Sequence, residues 1–199
     1  MDFASSETKI NLMRAFAGES QARNRYNMAS STAKSEGHFF IANLFDYTAC
    51  QEQAHATVFY GFLKEVNNTN FDINASYPIN CYDTTQKHLE AAMHNEREEY
   101  ESAYKNFSII AKNEGFDRIS NAFDKIATIE KVHAERFEKL LEMLTGNTLY
   151  TGEENTVWVC TNCGHIHVGP SAPELCPVCS HQKGYFAKDC FKNDTPILM

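Results

Sequence analysis

The sequence predicts an all-α four-helix bundle followed by a small β domain that a four-cysteine metal site staples together. Apolar residues recur at steps of three and four along most of the chain before Thr145, which is the period of an α-helix. Glycine and proline are scarce in that part and frequent after Gly152, where two Cys-x-x-Cys pairs also occur. We therefore expect the bundle over residues 1–148, a linker over 149–153 and the metal-stapled domain over 154–199.

The composition narrows the classes of function. A formal net charge of −8 disfavours nucleic acids and anionic membranes as partners but tolerates bound cations. No apolar run reaches the length of a membrane span, and the first residues lack a basic and then apolar signal region. Paired cysteines in a reducing compartment indicate metal ligands rather than disulfides. We therefore expect a cytoplasmic protein that binds neither nucleic acid nor membrane.

Four helices follow from the apolar stripes and their caps. They are predicted over about residues 6–35, 38–66, 84–113 and, after Gly115, up to about residue 145. Ser5 or Ser6 is the predicted N-cap of the first helix, and Asp83 or Thr84 that of the third. The Asn-rich segment 67–80 is long for a loop in a compact domain, so we predict a crossover connection there.

Each predicted helix carries carboxylates on its apolar stripe, close to its middle. A buried carboxylate is costly unless positive charge compensates it. Two of the helices carry Glu-x-x-His on the stripe, and residues three apart face the same way with Cβ atoms about 5–6 Å apart, which suits one metal ion. A single such motif would be weak, since Glu and His are common on solvated faces. The core-facing polar residues are Glu19, Glu52, His55, Glu96, Glu99, Glu130 and His133.

These positions converge at one level of a bundle, where five negative charges would repel one another. Two divalent cations would neutralise most of that charge, and one nitrogen per metal among oxygens suits iron or manganese, with zinc as a competitor. One Glu from each of two helices and Glu-x-x-His from each of the other two is typical of ferritin-like di-metal carboxylate proteins. Glu99 is one carboxylate more than this pattern requires. A spare carboxylate would let an ion change ligands with its redox state.

An internal repeat relates the two halves of the bundle. Segment 33–37 reappears at 111–115, and the same offset of 78 residues maps one Glu-x-x-His motif onto the other. Glu19 instead needs an offset of 77 to reach Glu96, so the third helix holds one extra residue before Tyr104. We predict a one-turn π-bulge there, because helices absorb insertions in this way near functional sites.

The tail is predicted to bind one metal ion through its paired cysteines. The four ligands are Cys160, Cys163, Cys176 and Cys179. Trp158, Tyr185 and Phe186 offer only a small core, so a domain of this size needs such a staple. Zinc knuckles and one-iron rubredoxin sites share these turns, so the spacing leaves the metal open. A redox-active di-metal site on the same chain favours iron, since an electron donor would have a use there.

Six motifs carry a family resemblance. In the bundle they are Phe-Ala-Gly-Glu-Ser-Gln-Ala at 16–22, Glu-Gln-Ala-His-Ala at 52–56, Asn-Glu-Arg-Glu-Glu-Tyr at 95–100 and Glu-Lys-Val-His at 130–133. In the tail they are Cys-Thr-Asn-Cys-Gly-His-Ile-His at 160–167 and Ala-Pro-Glu-Leu-Cys-Pro-Val-Cys at 172–179. On these motifs the chain resembles the rubrerythrins, in which a ferritin-like di-iron domain precedes a rubredoxin-like domain, over nearly its whole length.

The resemblance implies two irons in an oxo- or carboxylate-bridged pair and one rubredoxin-type iron on the four cysteines. Glu52 and Glu130 would bridge the pair. Glu19 and Glu96 would be terminal ligands, and His133 would bind one iron.

The resemblance also implies that one iron of the pair is mobile. That iron would bind His55 when reduced and Glu99 when oxidised. Tyr26 and Tyr104 match tyrosines that lie beside the ligands in the family. The ligand positions show no departure from the pattern, whereas Ser180 stands where free rubredoxins usually carry glycine.

The function implied is a peroxidase that reduces hydrogen peroxide to water in oxidative-stress defence. A diferrous pair holds the two electrons needed to cleave one O–O bond. The thiolate-bound iron would return electrons from an NAD(P)H-dependent reductase or a rubredoxin-type donor. The resemblance further implies a homodimer in which one chain's tail serves the other chain's di-iron site, and helices could swap between chains through segment 67–80. Two alternatives stay open: a ferroxidase or iron-handling protein, and a zinc-ribbon tail that docks a partner.

The remaining cysteines and histidines are not expected to bind metal. Cys50, Cys81 and Cys190 are expected to be inert thiols. His38, His88 and His94 lie off the stripes and are expected to be exposed. His165, His167 and His181 flank the cysteine turns, but four thiolates already complete a tetrahedral site.

Overall fold

Two helical hairpins and a small sheet make up the part of the chain that the structure, a computed structural model, describes, residues 2–191. The helices are α1 (Glu7–Ser35), α2 (Phe39–Phe62), α3 (Thr85–Glu98), α4 (Tyr104–Asn113) and α5 (Asp117–Thr145). Helix α3 runs into α4 through a π-helical segment, so the two form one long helix that packs against α5, while α1 packs against α2. The predicted four-helix bundle is confirmed. Over residues 2–191, no helix has the length and apolar character to cross a membrane.

The predicted caps of the first and third helices are confirmed. The Ser6 hydroxyl accepts a hydrogen bond from the Lys9 N–H (3.1 Å), and the Thr84 hydroxyl accepts one from the Lys87 N–H (3.4 Å). These side chains satisfy N–H groups that a helix start leaves without partners. The second helix is shorter than predicted, because its last turn tightens into a 3-10 helix at Leu63–Val66.

Each hairpin also caps the first helix of the other hairpin. The Glu114 carboxylate accepts hydrogen bonds from the N–H groups of Glu7 (3.0 Å) and Thr8 (2.8 Å) at the start of α1. The Glu36 carboxylate accepts one from the Thr85 N–H (2.8 Å) at the start of α3. Glu36 and Glu114 occupy equivalent positions in the repeat, so the sequence repeat is a pseudo-two-fold relation between the hairpins.

The connection between α2 and α3 runs along the bundle from one end to the other. Near its start, Phe71 lies under the Lys9 ammonium, 4.6 Å from ring centroid to Nζ. Further on, the Tyr77 hydroxyl donates to the Arg14 carbonyl (2.9 Å), and the Asn95 amide donates to the Asn80 side chain (2.8 Å). The predicted crossover is therefore confirmed, and it covers the side of the bundle where α1 faces α3 and α4.

The predicted π-bulge is confirmed. The π-helical segment spans Glu99–Ala103, and the Tyr104 N–H donates to the Glu99 carbonyl, five residues back. This wide turn absorbs the extra residue, so that Tyr104 returns to the core-facing position that Tyr26 holds in α1.

Two apolar clusters fill the bundle at different levels. The cluster near the α1–α2 turn includes Phe40, Phe45, Leu89, Phe137 and Leu140. The cluster near the other end includes Leu12, Phe59, Ile119, Phe123 and Ile126. Along every helix the core-facing polar residues fall between these two sets, so a polar layer lies between two apolar ones.

The tail folds as a three-stranded antiparallel sheet in the order β2-β1-β3. The strands are β1 (Val157–Cys160), β2 (Ile166–Val168) and β3 (Phe186–Lys188). Trp158 is fully buried and its indole N–H donates to the Gly169 carbonyl (2.9 Å). The predicted small core is confirmed, with Trp158 and Phe186 buried and Tyr185 packed against them.

The tail docks on the α1–α2 turn of its own bundle. Phe39 and Tyr185 stack with ring centroids 4.3 Å apart, and Phe40 meets Phe191 edge-on at 5.0 Å. The contact is close at Gly184, where a Cβ atom would lie only 1.7 Å from the Gly37 carbonyl oxygen. Glycine at 184 therefore sets how near the two parts approach.

The expectation for His88 is wrong. His88 is buried, because the end of the crossover folds over it and the Tyr82 carbonyl lies 2.9 Å from its Nε2. His38 is half-buried, with its Nδ1 3.1 Å from the Tyr150 hydroxyl, whereas His94 is exposed as predicted. The side chain of Cys190 and residues 192–199 lie outside the described part of the chain.

Candidate metal centres

Six of the seven predicted ligands meet in the polar layer of the bundle. All six are buried, and they come from α1, α2, α3 and α5: Glu19, Glu52, His55, Glu96, Glu130 and His133. They form two groups of four whose ligand atoms lie within 4.8 Å of one another. One group is Glu19, Glu52, His55 and Glu130, and the other is Glu52, Glu96, Glu130 and His133. Glu52 and Glu130 belong to both groups.

The Nδ1 atom of each histidine faces the shared carboxylates. His55 Nδ1 lies 3.0 Å from Glu130 Oε1 and 3.3 Å from Glu52 Oε2. His133 Nδ1 lies 2.9 Å from Glu130 Oε2 and 3.0 Å from Glu52 Oε1. Each carboxylate thus offers one oxygen to each histidine's side, which is the arrangement that two adjacent ions would need.

The buried atoms of this layer lack hydrogen-bond partners within the described residues. The atoms concerned are both oxygens of Glu52 and Glu130, Oε2 of Glu19 and of Glu96, and Nδ1 of His55 and His133. Buried polar atoms are normally satisfied, and these eight all point at the same place. Their donor chemistry, carboxylate oxygen with one imidazole nitrogen per group, fits a pair of iron ions.

The carboxylates disturb one another's ionisation in the metal-free chain. Burial, reinforced by the charge of Glu52, raises the pKa of Glu96 to about 8. Burial together with Glu130 and Glu52 raises the pKa of Glu19 well above its usual value. Burial alone would lower the pKa of His55, but the adjacent carboxylates of Glu130 and Glu52 raise it to about 9. The layer therefore holds protons where cations could replace them.

The two predicted tyrosines each hold a ligand of the opposite hairpin. The Tyr104 hydroxyl donates to Glu19 Oε1 (2.6 Å), and the Tyr26 hydroxyl donates to Glu96 Oε1. Burial, with the neighbouring carboxylates, raises the pKa of both phenols, so both stay protonated donors. Within the described residues, they leave Oε2 of each carboxylate without a hydrogen-bond partner.

Glu99 is the predicted ligand that the structure does not bring into either group. It lies on the π-helical segment and lines a cavity of about 220 Å³ with Arg25, Tyr77, Tyr104 and Phe107. Burial and the charge of Glu96 raise the pKa of Glu99 well above its usual value. The crossover forms the outer wall of this cavity.

Sequence reasoning missed a polar network behind His133. Gln51 accepts from His133 and from Arg136, and Arg136 also donates to Thr48. The repeat could have shown it, because the positions equivalent to Gln51 and Arg136 are Ile129 and Val58. A difference between the halves at these positions marks the two histidines as unequal.

The four cysteines of the tail form a second site. Their sulfurs all lie within 4.8 Å of one another, with Cys160 and Cys179 3.7 Å apart and Cys163 and Cys176 3.6 Å apart. A tetrahedron with metal–sulfur bonds of about 2.3 Å has sulfurs about 3.8 Å apart, so the cluster fits one ion. No disulfide joins any two of the four.

The two cysteine turns have the same backbone geometry. Gly164 and Ser180 each follow a turn with positive φ, 77° and 59°, and their N–H groups donate to the carbonyls of Cys160 (2.8 Å) and Cys176 (2.9 Å). Serine thus adopts the left-handed conformation that glycine usually fills. The backbone N–H of His181 lowers the pKa of the Cys179 thiol to about 6, which favours a thiolate.

Sequence profiles and relatives agree with these two sites. The Rubrerythrin family profile matches residues 11–141, and the profile described as "Rubrerythrin, rubredoxin-like domain" matches residues 158–187. The chain belongs to the rubrerythrin family. Rubrerythrin-1 of Clostridium acetobutylicum is 44% identical over 91% of this chain and 93% of its own. The rubrerythrin of Nitratidesulfovibrio vulgaris is 39% identical over the same shares.

Solved structures show the same architecture. The fully reduced, all-ferrous state of nigerythrin superposes with a TM-score of 0.62 at 27% identity, over 94% of this chain and 91% of that one. Mycobacterium tuberculosis bacterioferritin BfrA superposes with a TM-score of 0.61 at 18% identity, over 70% of this chain and 87% of that one, which shows the ferritin-like fold alone.

Family and geometry together establish the cofactors and the general chemistry. Like other rubrerythrins, the chain carries a di-iron carboxylate–histidine site in the bundle. It also carries a rubredoxin-like four-cysteine site at Cys160, Cys163, Cys176 and Cys179. It is therefore an iron-binding protein of an oxidoreductase family, with an electron-transfer domain on the same chain.

Proposed function

We propose that this rubrerythrin reduces hydrogen peroxide to water. The observation that carries the proposal is the sharing of Glu52 and Glu130 by two ligand groups, which holds two ions side by side. Two ferrous ions there would supply the two electrons that convert one peroxide and two protons into two water molecules. The family assignment supports a role in oxidative-stress defence.

The ligand roles follow from membership of the two groups. Glu52 and Glu130 would bridge the ions, since each offers one oxygen to each side. Glu19 and His55 would complete one ion's shell, and Glu96 and His133 the other's. Glu99 would join from the cavity.

The cavity gives peroxide a route to the ions. It reaches from the crossover to Glu99 and Tyr104, and the polar layer behind it is closed on both sides by apolar clusters that keep bulk water out. Glu99, with its raised pKa, would hold a proton on its carboxyl where peroxide enters. The Tyr104 hydroxyl keeps Glu19 oriented while that proton moves.

Electrons would reach the bundle from another chain's tail. Phe39, which contacts the tail, precedes Glu52 by thirteen residues on α2, a separation of about 20 Å at 1.5 Å per residue. A homodimer in which each tail serves the partner's bundle would shorten that path. The donor to the tail would be an NAD(P)H-dependent reductase or a rubredoxin-type protein, in a reducing compartment such as the cytosol.

Stopped-flow oxidation of the fully reduced chain tests the activity. We expect hydrogen peroxide to oxidise the di-iron site faster than oxygen does, with the colour of the oxidised four-cysteine iron appearing afterwards. Faster oxidation by oxygen would make the protein a ferroxidase. A colourless tail with zinc on its cysteines would remove the electron path.

Mixed dimers test the cross-chain route. Cys179→Ser removes a ligand of the tail iron, and Glu52→Gln removes a shared ligand of the iron pair. Each variant alone should be inactive, and the mixture should recover activity if electrons cross between chains. No recovery in dimers shown to be mixed would place the electron path within one chain.

A further inference from the structure

The outer nitrogen of His133 is fixed by a chain of hydrogen bonds. His133 is fully buried, and its Nε2 lies 3.1 Å from Gln51 Oε1. The Arg136 guanidinium donates to the same Oε1 (3.3 Å) and to the Thr48 hydroxyl (3.1 Å). Arg136 is itself buried and lies over the Tyr47 ring, 5.5 Å from its centroid.

This network determines which nitrogen of His133 carries the proton. A guanidinium has only donors, so the Gln51 atom that faces Arg136 must be the amide oxygen. The Gln51 amide nitrogen, in turn, donates to the Tyr47 hydroxyl (3.3 Å). Since Oε1 can only accept, His133 Nε2 must be the donor. Nδ1 is then the nitrogen that faces Glu52 and Glu130, and its lone pair would bind a metal ion that replaces the proton held there.

His55 lacks this support, although the repeat places it in the equivalent position. Within residues 2–191, no side chain makes a hydrogen bond with His55 Nε2. Around His55, the positions equivalent to those of the network hold apolar residues. Ile129 corresponds to Gln51, Val58 to Arg136 and Ile126 to Thr48. The repeat thus has apolar and partly exposed side chains, Ile129 at 37% and Val58 at 44% exposure, at the positions that hold Gln51 and Arg136 in the other half.

We propose that Gln51, aligned by Arg136 and Thr48, is a positioning residue that makes His133 the permanent nitrogen ligand, and that Ile129 leaves His55 without such a partner, as the nitrogen ligand that can be released. The inference rests on the ligand roles proposed above. It explains from this chain's own residues why two histidines related by a repeat would behave differently. It also names the substitution that would make them alike, Ile129→Gln.

The test uses the full-length chain loaded with zinc, a diamagnetic probe that leaves both histidine rings visible by NMR. Long-range ¹H–¹⁵N correlation of ¹⁵N-histidine-labelled protein reports which ring nitrogen holds the proton and how fast it exchanges. In the wild-type chain we expect a slowly exchanging Nε2 proton on His133 and a rapidly exchanging one on His55.

Three variants at position 51 and nearby separate positioning from packing. Gln51→Leu should speed exchange of the His133 proton about fivefold or more. It should also weaken binding of the zinc ion that His133 would ligate, about 10- to 100-fold. Gln51→Glu restores an acceptor and should recover the slow exchange. Gln53→Leu, on the exposed face of the same helix, is the matched control and should change neither.

Ile129→Gln provides an independent gain of function. It should give His55 a slowly exchanging Nε2 proton. Unchanged exchange at His133 in Gln51→Leu, or at His55 in Ile129→Gln, would overturn the proposal. Neither readout involves peroxide, so a chain with these exchange rates but no peroxide reduction would contradict only the proposed function.

Discussion

At the scale of single residues, the six buried candidate ligands form a layer that cannot be fully ionised without cations. The carboxylates of Glu19 and Glu96 resist ionisation because they are buried beside other carboxylates. His55 and His133 retain protons because the same carboxylates surround them. Metal ions and protons thus compete for one set of atoms, and pH decides the outcome.

We expect the metal-free protein to lose stability as pH rises from about 5 to 9. The pKa values of Glu96, about 8, and His55, about 9, lie above their unfolded values, so the folded chain binds more protons in this window. Stability from a raised pKa is present at low pH and lost as pH rises through the folded value. Glu52, whose pKa is lowered by His133 despite burial, acts only below about pH 4.5.

Urea unfolding of the metal-free chain at a series of pH values measures this slope. The decrease of the unfolding free energy with pH reflects the extra protons that the folded chain binds, and Glu96→Gln should reduce that number by about one over the same window. Metal affinity should change in the opposite direction and rise with pH. A stability that rises between pH 6 and 9 would show that the layer does not hold these protons.

The sequence predicted that these six side chains lie together, because buried carboxylates on an apolar stripe are improbable without a function. It could not distinguish Glu99, which lies on the same helix side but faces the cavity from the π-helical segment. Gln51 was missed for a different reason. Only the difference between Gln51 and Ile129 at equivalent positions of the repeat signals it, and the role of that difference becomes visible once Gln51 is seen beside His133.

At the scale of elements, α1 and α3 begin where a carboxylate of the opposite hairpin accepts from their free backbone N–H groups. Periodicity predicted the helices and the offset between the repeats predicted the π-bulge, since both are local or arithmetic features of the chain. The Glu114 cap was not predictable, because its acceptor lies 106 residues from Thr8 in sequence. The same holds for Glu36 and Thr85.

Glu114→Ala should lower the free energy of unfolding by about 1 kcal/mol, the usual cost of losing a cap. Two N–H groups at the start of α1 would lose their acceptor. Urea unfolding of the metal-free protein at pH 7 measures the change. Glu101→Ala, at an exposed position of the π-helical segment, is a control that should cost much less. Equal effects of the two substitutions would show that the cross-hairpin cap contributes little.

At the scale of the whole molecule, the docking of the tail was not predictable from the sequence. The cysteine spacing predicted the tail's metal site, but nothing in the tail's own pattern pointed to the α1–α2 turn. The contact depends on shape: Phe39 stacks on Tyr185, and Gly184 lies against the Gly37 carbonyl. Such complementarity appears only when both surfaces are folded.

Gly184→Ala should loosen the tail from the bundle without unfolding either part. The added Cβ would overlap the Gly37 carbonyl oxygen, and overpacking of this kind costs about 1–3 kcal/mol. Hydrogen exchange should become faster at residues 37–40 and 184–187, while the fluorescence of Trp158 and the colour of the tail iron stay unchanged.

Gly61→Ala is the matched control for this substitution. A Cβ at Gly61 meets nothing within 4 Å, and alanine favours the helix by roughly 0.5–1 kcal/mol. It should leave exchange at the docking surface as it was. If Gly184→Ala also leaves it unchanged, the tail does not depend on this close approach.

The mutual capping by Glu36 and Glu114 has a consequence for protein design. A polypeptide consisting of α1, α2 and their turn, paired with a second copy of itself, would place Glu36 of each copy at the helix start of the other. The same pairing would assemble two sets of Glu19, Glu52 and His55 around one axis, a complete six-residue binding site without Glu99. Such a minimal, symmetric scaffold would separate the capture of two metal ions from whatever chemistry the seventh carboxylate adds.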